Sequence, residues 1–432
     1  MKVLLVGSGA REHALAWKLA RSPALTRLWI APGNPGTAAH GENVPVAAED
    51  VAGLVALARA QGVELCVVGP EAPLVAGLAD ALGEQRIPTF GPRAAAAEIE
   101  GSKAWSKEIM VRHRVPTAAH RTFMQLAQAL SYLDGGARYP CVVKASGLAS
   151  GKGVLICKNL QEARDAARSM LEGRKFGAAG TTIVIEEFLD GPEASAFCIT
   201  DGRTFAPLES CMDHKTLLDG GKGPNTGGMG AVSPNPEISD RTRALIERVV
   251  FLPTVHAMNH EGRRFQGVLF AGLKLTAGGP RVLEYNARFG DPECQVLMMR
   301  LSSDLLPYLH ACAAGTLEDL QAPEWDPRPA CCVVLAARGY PAAPENGRTI
   351  EGLDEIETGD DLQVFHGGTA LRDGRLVTAG GRVLTVTALG ADHAQARERA
   401  YAACARIHFD GMTLRNDIGL AALRFAEQPG PA

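Results

Sequence analysis

The chain has 432 residues, a formal net charge of −4, 46% hydrophobic and 21% charged residues. That length exceeds what one hydrophobic core supports, so two to four domains are expected. With no basic block or Lys/Arg stripe, a nucleic-acid or anionic-membrane partner has no electrostatic support.

The ten cysteines are scattered without a C-x-x-C pair, which argues against a zinc site or disulfide framework and fits a reducing compartment. The first residues resemble a strand rather than a signal peptide, and no apolar run approaches the roughly 20 residues a membrane helix needs. A cytoplasmic location is expected.

The first hundred residues alternate strand and helix. Lys2–Val6 is a short apolar strand, Arg11–Arg21 has helical periodicity, and Leu28–Ala31 is a second strand stopped by Pro32 and Gly33. Asp50–Gln61 predicts a helix capped by Asp50, Glu64–Val68 a third strand and Pro88–Phe90 a short fourth. The alternation predicts a parallel sheet with right-handed crossovers over residues 1–101.

From residue 102 the pattern becomes antiparallel α+β. Ser102–His113 is helical. Cys141–Ala145 and Val154–Cys157 predict a hairpin around the glycine-rich Ser146–Gly153, followed by a helix over Gln161–Leu171 and a strand over Thr182–Glu187. Residues Gly220 to Gly230 are almost all Gly, Pro, Asn, Thr or Lys, which predicts a surface loop. Gly267–Leu275 and Arg281–Asn286 form a further hairpin. A Pro-rich linker over Pro323–Pro329 leads to a small α+β domain over 330–425, with strands at Ala330–Ala336 and Gly381–Ala388 and a helix at Ala391–Ile407.

Four segments carry candidate chemistry. Gly7-Ser8-Gly9-Ala10-Arg11-Glu12-His13 joins a strand to a helix N-terminus, which favours an anion. A dinucleotide is disfavoured, because Glu12 holds the third-glycine position and no acid near residue 30 could hold a ribose. A phosphate-bearing small substrate and a purely structural turn remain open. Lys144 precedes a glycine loop whose backbone can wrap phosphate oxygens, or which could be a plain glycine hairpin; Gly153 after Lys152 rules out a Walker A motif. Ile183–Leu189 runs from strand to turn, where backbone groups and apolar neighbours could grip an adenine, or the acids could simply face solvent. Glu284 and Asn286 project from one strand face, and their oxygens suit Mg²⁺; a solvated charged face is the alternative. Arg288, two residues on, could meet an anion.

These segments lie in the order and spacing of the ATP-grasp ligases. GSGAREHA, GPEAPL, GSKAWSK, KASGLASGKGV, EEFLDGPEAS, DHK, GPNTGGMGA and LEYNARFGDPE together resemble the phosphoribosylamine–glycine ligase family, from residue 1 to about 425 and including Asn416-Asp417-Ile418-Gly419. The resemblance implies a Rossmann-like N-terminal domain (1–101), an ATP-grasp domain (102–322, with a lid over about 115–190) and the C-terminal domain (330–425). It implies ATP with Mg²⁺ or Mn²⁺, glycine and 5-phosphoribosylamine as small-molecule substrates, and a step of purine biosynthesis; a monomer is expected.

By position, the resemblance places Lys103 and Lys144 on the ATP phosphates, with Gly147, Gly151, Lys152 and Gly153 closing over them. Glu186, Glu187, Phe188 and Leu189 hold adenine, Glu193 the ribose, and Glu284 and Asn286 the metal. Asp213, Lys215 and Arg288 stand at the reacting groups. Asn225, Thr226, Gly227, Gly228, Met229, Asp291 and Glu293 line the glycine and phosphoribosylamine sites. Gly9, Arg11 and Glu71 face the sugar phosphate. The chain departs from the family pattern at Ala10, usually a second glycine, at Ser146, usually Asp, and at Met212, usually Gln. The strand Gly267–Lys274 also lacks the extra acid that many ATP-grasp enzymes place there.

Overall fold

Strands β1 (Lys2–Gly7), β2 (Arg27–Pro32), β3 (Glu42–Asn43), β4 (Leu65–Val68) and β5 (Thr89–Phe90) form a parallel sheet in the order β3-β2-β1-β4-β5. The structure, a computed structural model, describes residues 1–148, 153–172 and 177–426. Val3, Leu4, Leu5 and Val6 are all fully buried, because the sheet is covered on both faces. Val3 and Leu5 pack with helix α1 (Ala10–Leu19), while Leu4 and Val6 pack with Leu54 and Ala58 of the helix Val51–Gln61. Asp50 caps that helix by accepting from the Gly53 N–H, as expected.

Residues 120–187 form a separate antiparallel sheet of β6 (His120–Phe123), β7 (Cys141–Ala145), β8 (Val154–Cys157) and β9 (Ile183–Glu187), ordered β6-β9-β7-β8. The expected hairpin is present, with Cys141 opposite Cys157 and Lys144 opposite Val154. Val143, Ile183 and Ile185 pack with Leu133 and Ala163 from two covering helices.

The chain continues through β10 (Glu193–Thr200), β11 (Phe205–Pro207), β12 (Met212–Asp213), β13 (Thr216–Leu218), β14 (Lys222–Asn225), β15 (Gly230–Ser233), β16 (Gly267–Thr276) and β17 (Gly279–Asn286). A four-stranded sheet ordered β11-β10-β16-β17 forms the floor of the molecule's central cleft. The predicted loop 220–230 is partly a hairpin, since β13 and β14 pair across a turn at Asp219–Gly221. Its composition concealed this because no apolar face alternates along it. Glycine is required at its tip, where Gly220 and Gly221 both have φ of 70°. The hairpin is tied down from the far end of the chain: Arg415 donates to the Thr216 carbonyl at 3.1 Å, and Asp417 accepts from the Gly220 N–H at 2.7 Å.

The C-terminal strands are β18 (Ala330–Ala336), β19 (Leu362–His366), β20 (Thr369–Arg372), β21 (Arg375–Thr378) and β22 (Arg382–Leu389). Their main sheet, ordered β12-β15-β18-β22-β19, is completed by two strands from the preceding segment. The helix Glu293–Arg300 is buried along its whole length and packs with β1, α1 and the C-terminal sheet in one core. Glu293 therefore starts a rigid element at the junction of three units. Among the described residues no helix is long and apolar enough to cross a membrane.

Candidate active site

Lys144 on β7, Lys107 on the helix Lys103–Arg112 and Glu186 on β9 meet beneath the second sheet. The Glu186 Oε2 lies 3.0 Å from the Lys144 Nζ and 3.1 Å from the Lys107 Nζ. Burial opposes ionisation of Glu186, but the two ammonium groups prevail and lower its pKa. Burial also lowers Lys107 to about 8, against the pull of Glu186. Lys107 is further held by the Thr117 hydroxyl at 2.7 Å, and Lys103 donates to the Gly147 carbonyl at 3.4 Å. The Glu186 side chain, expected at the adenine, is thus the buried counter-ion of two lysines. Its Oε1 has no partner among the described residues.

Glu284 lies on β17 opposite Gly272 of β16, and Asn286 opposite Phe270. Burial would raise the Glu284 carboxyl, yet Lys215, Lys103, Lys144 and Lys107 together hold it at about 2. No protein hydrogen bond occupies either the Glu284 carboxylate or the Asn286 amide among the described residues. A fixed negative charge and an amide oxygen on one strand face, both without internal partners, fit a hard divalent cation. If one binds, these two residues would hold it, and it would neutralise phosphate charge.

Facing these groups, Asp213 ends β12 and Lys215 follows two residues later. Lys215 pairs with Glu193 at 3.2 Å, and Lys274 pairs with the other Glu193 oxygen at 3.4 Å. Burial disfavours the charged ammonium of Lys215, but Glu193, Glu284 and Asp213 outweigh it and raise its pKa. The Asn225–Met229 segment is folded back over Lys215: the Thr226 N–H and hydroxyl both donate to the Lys215 carbonyl, at 2.8 and 2.7 Å. Met229 is fully buried, and the Gly228 backbone packs against Asp213.

Arg382, from β22, donates to the Gly227 carbonyl at 2.6 Å and to the Asp291 carbonyl. Its guanidinium also pairs with the Asp291 carboxylate at 3.1 Å. Arg288 is gripped by Glu71 and Glu100, each at 3.0 Å. Burial alone would raise Glu71, but Arg288 and Arg11 bring it to about 2. Glu100 also accepts from the Ala287 N–H at 2.7 Å, fixing the turn after β17.

The N-terminal turn carries its own carboxylate. Glu12 is 2% exposed, and its carboxylate accepts from the Gly9 N–H and from Arg11, each at 2.6 Å. A Cβ on Gly69 would meet Glu12 at 2.0 Å and one on Gly7 at 2.5 Å, so this side chain fills the turn. Arg11 is buried as well and donates to the Phe289 carbonyl at 3.2 Å. The anion at the start of α1 is therefore the chain's own Glu12, which engages the Gly9 N–H and Arg11. Glu71 reaches the cleft through Arg288.

At the end of β9, Glu187 accepts from the Ala119 N–H at 2.9 Å and pairs with Arg281, Phe188 is exposed and Leu189 is buried. Gly147 donates to the Ala179 carbonyl, and the Gly153 carbonyl accepts from Ala145. Gly151 and Lys152 lie outside the described residues. Of the departures, Ser146 does what an Asp could do: its Oγ accepts from the Ala104 N–H at 3.0 Å, at the start of the lysine-bearing helix. Ala10 and Met212 are buried without a polar role.

Lys107, Glu100 and Arg382 line the cleft and were not singled out by the sequence reading. Lys107 had a signal, lying one helical turn from Lys103 in GSKAWSK. Arg382 had none, because its partner Asp291 is 91 residues away.

A lysine-rich cleft between two antiparallel sheets, with oxygen donors on its floor strand, defines the chain as an ATP-grasp ligase. Family descriptions match along its length: phosphoribosylglycinamide synthetase N domain over residues 1–100, ATP-grasp (A) domain over 101–294 and C domain over 330–421. The chain is 52% identical over 424 residues to phosphoribosylamine–glycine ligase of Brucella melitensis, covering 98% of each chain. The crystal structure of phosphoribosylamine–glycine ligase from Thermotoga maritima matches with a TM-score of 0.84 at 34% identity, covering 97% of this chain and all of that one. The biotin carboxylase domain of Hydrogenobacter thermophilus 2-oxoglutarate carboxylase shares the fold, with a TM-score of 0.74 at 19% identity over 96% of this chain and 91% of that one. The chain belongs to the phosphoribosylamine–glycine ligase family.

Proposed function

We propose that this chain joins glycine to 5-phosphoribosylamine, converting ATP to ADP and phosphate and producing glycinamide ribonucleotide for purine biosynthesis. The overall ligation follows from the family to which the chain belongs; the assignment of residues to its steps is our own. The glycine carboxylate attacks the γ-phosphate, giving glycyl phosphate and ADP. The phosphoribosylamine nitrogen then attacks the acyl carbon, and phosphate leaves.

Lys103 and Lys144 neutralise the transferring phosphate, and Glu284 and Asn286 would hold Mg²⁺ or Mn²⁺, which would add charge neutralisation. Glu193 meets the ribose, the backbone of Glu186 to Leu189 meets adenine, and the sheet over residues 120–187 acts as the lid. Lys215, Arg288 and the Asn225–Met229 segment orient the two substrates. No covalent enzyme intermediate is required, so catalysis is positioning and charge neutralisation.

The observation that carries this reading is the charge balance around Glu284. Lys103, Lys107, Lys144 and Lys215 all act on the ionised Glu284 carboxylate, which has no hydrogen-bond partner among the described residues, and Lys107 and Lys144 share Glu186 as their one counter-ion, an arrangement a polyphosphate can complete. ADP release measured with each substrate omitted in turn tests it. Sustained release beyond one ADP per enzyme is expected to require both glycine and phosphoribosylamine; sustained release without glycine would overturn the reading.

A further inference from the structure

We propose that Cys141 and Cys157 form a reversible dithiol–disulfide site, one that takes small disulfides as oxidants and restrains the hairpin carrying Lys144. Cys141 opens β7 and Cys157 ends β8, and the two stand directly opposite in the antiparallel pairing. Both side chains belong to one packed cluster with Ala163 and Ala167 of the helix Leu160–Leu171. Directly opposed residues on antiparallel strands hold their Cβ atoms about 4.5–5.5 Å apart, and a disulfide needs about 3.5–4.5 Å. Strand β8 is at the edge of its sheet, paired with β7 alone. A shift of about 1 Å therefore closes the gap without disturbing a second neighbour. A bridge made by such a shift is readily reduced again, which suits a reversible site rather than a structural staple.

The pair sits at the open end of the hairpin, at the rim of the sheet. Each thiol is 2% exposed, but Cys141 follows the exposed Pro140, and Cys157 stands between the exposed Ile156 and Lys158. Fraying of the strand end is enough to admit a reagent. The facing Cys157 thiol lowers Cys141 against the effect of burial, and the same contact raises Cys157. Burial pushes up every other cysteine thiol of the chain. Cys141 is thus set as the nucleophile and Cys157 as the resolving group.

The Cys141 thiolate attacks one sulfur of a small disulfide R–S–S–R, forming a mixed disulfide and releasing R–S⁻, which takes the Cys157 proton. The Cys157 thiolate then attacks the Cys141 sulfur, closing the protein bridge and releasing the second R–S⁻, which takes up the proton that Cys141 gave to solvent. Two protein thiols lose two electrons and two protons, and the oxidant leaves as two R–SH. In a reducing compartment the thiols persist and the bridge forms only under oxidising conditions. Residues 142–156, Lys144 among them, lie within the ring that the bridge closes.

Incubation of the full chain with glutathione disulfide, a quench with N-ethylmaleimide and mass spectrometry of the digest test this. The parent should lose two alkylatable thiols together, give a cross-link between Cys141 and Cys157, retain no glutathione, and recover both thiols in dithiothreitol. Cys157→Ser should trap glutathione on Cys141 at least about tenfold faster than Cys141→Ser traps it on Cys157. In the bridged parent, amide exchange over Val154–Cys157 should slow by at least about threefold. A parent that keeps all ten thiols until it is denatured, or holds glutathione without the cross-link, would overturn the site even where a serine variant fails to fold. Equal trapping rates in the two variants would overturn the assigned roles, and unchanged exchange in the bridged parent would overturn the restraint. The ligase reading stands under each of these outcomes.

Discussion

The N-terminal turn and the central cleft contain the same ingredients, glycines, an arginine and carboxylates, but they are wired in opposite ways. In the turn, Glu12 answers both the Gly9 N–H and Arg11, and Arg11 spends its remaining capacity on the Phe289 carbonyl. In the cleft, Glu284 sits among lysines and, among the described residues, has no hydrogen bond, while the Asp213 Oδ1 and the Glu186 Oε1 are shut off from solvent with no partner there. Buried polar groups are normally satisfied, so open carboxylate oxygens grouped among lysines are positions a ligand could complete. A motif containing the right residue types does not by itself make a site.

The largest effect should come from the cleft. Glu284→Gln keeps size and removes a charge, so steady-state activity should fall about 100- to 1,000-fold while the melting temperature stays close to that of the parent. Near-parental turnover at saturating Mg²⁺ would break the comparison on the cleft side.

Glu12→Gln should behave inversely. It leaves Arg11 buried without its counter-ion, at a cost of about 3 kcal/mol in denaturant-unfolding stability, whereas the KM values for ATP, glycine and phosphoribosylamine should change little. A stable variant with a raised phosphoribosylamine KM would place the sugar phosphate at this turn.

A smaller effect is expected from acid, where the N-terminal domain meets the C-terminal sheet. The His366 N–H donates to the His13 Nδ1 at 2.8 Å, which requires that nitrogen to be unprotonated. Burial holds His366 at about 4, and burial together with His366 and His40 keeps His13 well below its usual value. The unfolded chain takes up protons below about pH 6.5 and the folded one does not. This stability is therefore complete above pH 6.5 and is lost as pH falls toward 4. Thermal melts should drop by roughly 2–5 °C between pH 7 and pH 5; a flat profile would contradict the neutral joint. The smallest expected signal is none at all: NAD or FAD should give no saturable heat, because Glu12 already fills the turn a dinucleotide would need.

Much of this was legible in the sequence. Strand alternation placed Glu284 and Asn286 on one face, and the Gly/Lys hairpin signal located Lys144 on β7. Both depend on local periodicity, which a single segment carries. The pairing of Glu186 with Lys107 and Lys144 was not legible, because three separate elements converge there and each alone resembles a surface charge. Arg382 was hidden for the same reason. Glu12 was noticed as an obstacle to a dinucleotide, but its return to cap its own helix depends on side-chain direction, which sequence spacing does not specify. The hairpin at Thr216–Asn225 was missed because hydrogen bonds from Arg415 and Asp417, rather than an apolar face, hold it.

The central claim is that the cleft, and not the N-terminal turn, is left open for the nucleotide and its metal. Calorimetric titration of a non-hydrolysable ATP analogue with Mg²⁺ into parent, Glu12→Gln and Glu284→Gln proteins at one pH tests it most directly. The account predicts that Glu12→Gln binds within about threefold of the parent and that Glu284→Gln binds at least about tenfold more weakly. Weakened binding in Glu12→Gln, with parental binding in Glu284→Gln, would contradict it.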